Sequence, residues 1–420
     1  MKILLVLATI LIFSVCAFCE IQQPAERCSP EDFIISPWGG EAGDGDLYNY
    51  EEFFKDCYDV GFNHCGFAPI SKLSAVRENH LKTDVGISDF WDNNIKDTEK
   101  KAEDACNKAV QKLSKEDMDT IYRFFIKDEP SLKDAEELGT YSKAIQKIIK
   151  KQPYINLYPD YAGIRTLGCN YPEYLKKILD ICQLNYISYD NYSIFADRGL
   201  DEDRFYQNLE MVRNECMARN IYFINVILSI NHFNYAPIDN YCINVQGWST
   251  LAYGGKGLTY FKFHNAIRGN YRDGAYDRYG SKTNVWYAMR NMNFAIHNIM
   301  PYYKNLKNIN VYHIGNVPNM SRGAETAQVV ESVQSYVPHL NITVQPNLLI
   351  GEFVDKEGNP YAIVVNKDQK YSVKFEEFKF KGCKSTKVIL DYSIKDKERV
   401  FEKEFTWLAP GYGYLLKGVK

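Results

Sequence analysis

From residue 32 to about residue 308 the chain alternates short apolar runs with longer amphipathic segments. The short runs lie at 33–37, 62–67, 84–88, 121–127, 154–158, 186–189, 222–228 and 258–263. Their aromatic and β-branched side chains mark them as strands. The longer segments, among them 48–60, 98–115, 131–151, 171–182, 204–219 and 285–306, carry apolar positions at three- and four-residue spacing and read as helices. A strand that returns to the sheet through a helix lies parallel to its neighbour, so the pattern predicts a parallel sheet covered by helices. Eight units in roughly 280 residues is the size of a closed (β/α)8 barrel. The alternative is a doubly wound open sheet. It is weakened because Gly39, Gly40 and Gly43 lack the G-x-G-x-x-G spacing, and no G-x-x-x-x-G-K-[ST] occurs.

After about residue 308 the long helical periodicity stops. Alternating runs follow at 347–354, 360–365, 371–378, 385–391, 399–406 and 411–416, with turn signals at 355–360 and 409–411. These predict a small antiparallel β-sandwich. The first nineteen residues have a charged start at Lys2, an apolar stretch over 3–15 and small residues around Ala17 to Cys19, the pattern of a secretory signal peptide. The expected plan is therefore a signal peptide at 1–19, a barrel at 20–308 and a sandwich at 309–420. It implies secretion, or residence in the lumen of the secretory or lysosomal pathway. No later run reaches ~20 uninterrupted apolar residues, so no membrane association is expected after cleavage. A formal net charge of −3 gives no electrostatic case for nucleic acid. Nine cysteines remain after cleavage, an odd number that leaves at least one thiol free. Sequons occur at Asn191, Asn319 and Asn341, of which Asn319 and Asn341 fall in expected loops and are the candidate glycosylation sites. The seven histidines show no metal-ligand spacing, so no metal and no cofactor is expected.

The fourth strand ends in an abrupt pair of acids, Asp128-Glu129-Pro130. Strand ends of this kind are where α/β barrels place chemistry. A carboxylic acid there can protonate the leaving oxygen of a glycosidic bond while a second group meets the oxocarbenium-like centre. The plainer reading is that the acids favour a helix N-terminus, with Ser131 and Asp134 as a capping pair. Adjacent residues on a strand point to opposite faces, which would give the two acids different tasks. The sixth strand ends Tyr189-Asp190-Asn191-Tyr192, another acid between aromatics; the plain reading is a structural Asp opening a loop. Trp38 after the first strand, and Tyr158 with Asp160 and Tyr161 after the fifth, are further candidates for the mouth, against a core Trp and an ordinary proline turn. On the eighth strand Tyr260, Lys262 and His264 share one face at period two, which nominates Lys262 and His264 for the ligand end.

Taken together these stretches resemble the secreted (β/α)8 glycoside hydrolases. The segment G-W-S-T-L-A-Y-G-G-K-G-L-T-Y-F at 247–261 is similar to the last unit of β-galactosidase-like barrels. L-I-G-E-F at 349–353, V-V-N at 364–366 and A-P-G-Y-G-Y-L-L at 409–416 resemble their appended β-domain. The resemblance assigns Glu129 as acid/base. The larger retaining clan has Asn before that glutamate and a nucleophilic Glu after strand seven. Here Asp128 precedes Glu129, and N-V-I-L-S-I-N-H at 225–232 contains no acid. The Asp-Glu pair is instead similar to substrate-assisted hexosaminidases, with Asp128 or Asp190 as the second carboxyl. Trp38, Tyr158, Asp160, Tyr189, Tyr192, Lys262 and His264 would bind the sugar. The implied function is glycoside hydrolysis by a monomer acting on an oligosaccharide or glycan. A catalytically silent carbohydrate-binding barrel is the alternative.

Overall fold

The computed structural model describes residues 26–39, 50–264, 270–339, 342–344, 346–392 and 398–420. The expected signal peptide, Gly40, Gly43 and the Asn341 sequon lie outside them. Eight parallel strands form the first sheet: β1 Ile34–Pro37, β2 His64–Phe67, β3 Lys82–Gly86, β4 Ile121–Asp128, β5 Gln152–Leu157, β6 Tyr186–Asp190, β7 Tyr222–Leu228 and β8 Gly257–Phe261. Their order is β1-β8-β7-β6-β5-β4-β3-β2. The gap between β1 and β2 is drawn together by Asn63. Its backbone N donates to Ile35 O (3.2 Å), and its side-chain Oδ1 accepts from Ile35 N (2.9 Å). Its Nδ2 donates to the carbonyls of Cys28 and Phe33. The sheet is thus a nearly closed barrel.

The strands bury both faces, as parallel strands between helices must. On β5, Ile155 and Leu157 join the large core shared with the surrounding helices, while Tyr154 joins Ile34, Tyr186 and Ile224 inside the barrel. The interior is not wholly apolar. Arg123 makes a two-pronged contact with Asp84 (3.0 and 2.6 Å), His64 Nε2 lies 3.3 Å from the same carboxylate, and the guanidinium sits 3.7 Å from the Tyr154 ring centroid. A buried ion pair of this kind adds little net stability, but losing one partner would strand a charge at a cost of ~3–5 kcal/mol.

The last barrel helix, Asn284–Tyr303, is capped by Thr283 and leads directly into strand Lys307–Ile314. That strand heads a six-stranded antiparallel sheet, which faces a four-stranded one. Leu348, Ile350, Val364 and Leu416 pack between the two sheets against Phe375 and Phe378. The alternate residues Leu349, Phe353, Ile363 and Leu415 belong to the barrel core, so the six-stranded sheet is buried on both sides. The approach is close at Gly351, where a Cβ would stand 2.0 Å from Ala252 O in helix Asn240–Ala252. All nine cysteines among the described residues are free thiols. Among those residues no helix is long and apolar enough to cross a membrane.

Candidate active site

The parallel register brings the ends of β4, β5 and β6 level. Asp128 pairs with Asn156, and Asn156 with Ser188. Because side chains alternate along a strand, Asn156, Ser188 and Asp190 point to the barrel axis while Leu157 and Tyr189 point outward to the helices. Inside, Asn156 Nδ2 stands 3.1 Å from Asp128 Oδ1 and 3.1 Å from Asp190 Oδ1. Ser188 Oγ donates to Asn156 Oδ1 (2.9 Å).

Glu129 leaves the strand pattern. Its N–H still donates to Asn156 O (2.9 Å), but its φ is +44°, a left-handed conformation that costs a non-glycine residue roughly 1 kcal/mol or more. The two adjacent acids therefore do not divide between opposite faces, as strict alternation predicted. Asp128 reaches the amide of Asn156, and Glu129 turns into a cavity of about 310 Å³ that Asp190 also lines. The cavity wall is aromatic: Tyr158, Tyr161, Tyr192, His232, Phe233 and Tyr235. The helix that follows does not use Glu129 as a cap. It starts at Ala135, after a turn in which Ser131 N and Oγ both donate to Asp134 Oδ2 at 2.9 Å.

Enclosure sets the proton affinities. Burial, and then the charge of Asp128, push the Glu129 carboxyl up to about 7. Asp190 is held well above the ordinary carboxylate range by burial and by the charges of Glu129 and Asp128, against the opposing pull of the Asn156 amide. Asp128 is raised by loss of hydration, with Asn156 and the Glu129 N–H opposing. Burial lowers the His232 ring below its usual value, which leaves it neutral near pH 7. Glu129, raised to about 7, can therefore carry a proton near neutral pH, which is what proton donation to a leaving group requires.

The structure brings Glu129, Asp190, Tyr158 and Tyr192 to one cavity and joins Asp128 to them through Asn156. The other expected residues sit elsewhere. Tyr189 is fully buried on the outer face of β6, against Phe223. Asp160 accepts from Gln207 Nε2 (2.9 Å) and ties the β5 loop to helix Glu202–Arg219. Trp38 packs edge-on against Phe67, Phe125 and Tyr154 in the aromatic cluster inside the barrel. On β8 the predicted face is the wrong one. Tyr260 points outward and donates to Asn293 Oδ1 (2.6 Å), and the strand ends at Phe261, whose ring lies 5.3 Å from that of Tyr192. Beyond that end the chain turns, so Lys262 lies 5.4 Å from the Tyr271 ring and His264 is buried in a stack on Tyr276. Burial, and then Lys262, drive the His264 ring down to about 3.

Sequence reasoning passed over Asn156, Ser188, His232, Phe233 and Tyr235. A polar residue at the inward position of Y-I-N-L-Y, and an aromatic cluster just past β7, were the available signals. Of the sequons, Asn191 is buried, and its amide is engaged by Arg204 O (3.3 Å) and Asn208 Oδ1 (3.1 Å), so it is closed to a glycan. Asn319 is exposed. Among the described residues no group of three or more His, Cys, Asp and Glu side chains could hold a metal ion.

No protein-family model matches the chain, and neither does any curated protein. Solved structures with similar folds include an endo-β-1,4-mannanase from Thermotoga petrophila (10% identity, 83% of this chain and 95% of that one, TM-score 0.43). A β-L-arabinopyranosidase from Geobacillus stearothermophilus is similar over 93% of this chain and 97% of its own, at 10% identity and TM-score 0.45. An endo-β-1,3-glucanase from Sorangium cellulosum is similar over 61% and 97%, at 10% identity and TM-score 0.42. Likenesses at this level carry nothing about substrate or mechanism.

Proposed function

We propose that the chain is a glycoside hydrolase with Glu129 as general acid/base. The observation that carries this reading is the meeting of Glu129 and Asp190, from the ends of β4 and β6, in one aromatic-walled cavity where burial raises both carboxyls. Sugar rings present apolar C–H faces that suit such a wall. Glu129, protonated near neutrality, gives its proton to the glycosidic oxygen as the bond to the anomeric carbon breaks.

Burial makes Asp190 a poor nucleophile, which favours a course in which the substrate supplies its own. In an N-acetylhexosaminide the acetamido oxygen attacks the anomeric carbon and forms an oxazolinium ring as the bond to the leaving group breaks, while Asp190 orients the acetamido group by hydrogen bonding and is itself tied to Asp128 through Asn156. Glu129, now a carboxylate, takes a proton from the water that opens the ring. In this reading residues 1–19 direct the chain into the secretory pathway, 20–308 form the catalytic barrel, 309–420 form the appended sandwich, and Asn319 carries a glycan.

A panel of aryl glycosides that includes N-acetylhexosaminides tests the proposal, with the wild type beside Glu129→Gln. Turnover should fall ~10²–10⁴-fold in the variant, most for leaving groups that need a proton and least for dinitrophenyl. No turnover by the wild type on any substrate would favour the silent carbohydrate-binding barrel instead. Turnover undiminished in Glu129→Gln would remove the assignment of the acid.

A further inference from the structure

Asn156 touches all three acidic residues. Its carbonyl oxygen accepts from Glu129 N (2.9 Å), and its Nδ2 reaches one oxygen each of Asp128 and Asp190 (3.1 Å and 3.1 Å). A primary amide carries two N–H donors, so each carboxyl receives one. The remaining polar atom, Oδ1, accepts from Ser188 Oγ (2.9 Å). That contact fixes which way round the amide sits; turned over, it would aim a carbonyl oxygen at two carboxyls. Both residues are buried, Asn156 at 2% and Ser188 at 1% exposure. Neither lines the cavity.

We infer that Asn156 is the positioning residue of the acid cluster and that Ser188 orients it. Its side chain spans β5 to hold Asp128 and Asp190 in fixed relation, and its backbone carbonyl anchors the left-handed turn that carries Glu129 into the cavity. This role rests on the glycosidase reading only for its effect on rate; its effect on the acids themselves can be read in the protein alone.

A hydrogen bond donated to a carboxylate favours its charged form. Asn156 therefore opposes proton uptake by Asp128 and Asp190, against burial at both and against the like charges of Glu129 and Asp128 at Asp190. The phenols of Tyr158, Tyr161, Tyr192 and Tyr235 also face this cluster, and His232, neutral, completes the wall. Without the amide, Asp128 and Asp190 should keep their protons to higher pH. Glu129 would then feel less charge from Asp128 and should lose its proton at lower pH.

The test is a carboxyl-carbon NMR titration of the full chain carrying labelled Asp and Glu, in the wild type, Asn156→Leu and Ser188→Ala. The expected result for Asn156→Leu is an upward move of about one pH unit for Asp128 and Asp190, and a smaller downward move for Glu129. Ser188→Ala, which deletes one oxygen and keeps both donors, should move all three in the same directions by less, and it serves if Asn156→Leu fails to fold. Titrations at their wild-type positions in Ser188→Ala, or in a folded Asn156→Leu, would overturn the inference. On a hydrolysed glycoside, Asn156→Leu should lower kcat ~10²-fold with KM little changed, and the fall of activity above about pH 7 that Glu129 sets should move to lower pH. A lower kcat with an unmoved profile would make Asn156 merely structural and overturn its role. An inactive wild type would count against the glycosidase reading alone, since the titration still decides the positioning role.

Discussion

Asp128 and Asp190 stand on strands that are not neighbours, yet one amide joins them. β5 runs between them, and Asn156 Nδ2 lies 3.1 Å from an oxygen of each. Two carboxyls tied to one amide group, with Glu129 alongside, form a coupled set whose titrations depend on one another.

The pH dependence of turnover follows from Glu129. An acid catalyst must hold its proton, and burial with the charge of Asp128 pushes this carboxyl up to about 7. For a substrate with a poor leaving group, kcat/KM should fall as pH rises past about 7. Asp128→Asn removes the neighbouring charge, so that limb should move to lower pH. A pH profile of the two proteins checks both the position of the limb and its displacement.

The same shifts destabilise the fold. Glu129 and Asp190 bind protons more tightly when folded than when unfolded. Between the ordinary carboxylate range and pH 7 the folded state therefore holds more protons, and stability falls as pH rises. Glu129→Gln and Asp190→Asn should melt a few degrees above the wild type at pH 8 and show little gain at pH 4. Melting curves at the two pH values settle it; equal gains at both would mean that the effect is not protonic.

The two tyrosines that flank Asp190 should respond oppositely. The Tyr189 hydroxyl is buried with no partner among the described residues, so Tyr189→Phe should leave kcat/KM unchanged and stability equal or higher. Tyr192 lines the cavity, and Tyr192→Ala should raise KM roughly tenfold, as the loss of ~1.5 kcal/mol of ring contact would.

Gly351 tests the seam between sheet and barrel. A methyl group there would meet Ala252 O at 2.0 Å, and backbone on both sides cannot yield cheaply. Gly351→Ala should cost ~1–3 kcal/mol or more, read as a lower urea midpoint, whereas Gly358→Ala, with open space around it, tests the backbone effect alone because its φ is also positive at +75°.

What the sequence determined by itself was local and periodic. Eight strand-helix units, the change to short alternating runs, and acids at the ends of the fourth and sixth strands follow from side-chain spacing along the chain. Such spacing reports which residues are buried, because each element must hide one face or stripe whatever its neighbours are. It did not report which inward side chains meet. Asn156 reads as one polar residue in an apolar strand until the β4-β5-β6 register sets it level with Asp128 and Ser188. Tyr260, Lys262 and His264 share a face only if the strand continues, and it stops at Phe261. The left-handed turn at Glu129, which decides where the acid points, is held by a carbonyl on another strand. Those choices belong to the tertiary structure, since register and chain direction at strand ends are set by hydrogen bonds between segments far apart in the sequence.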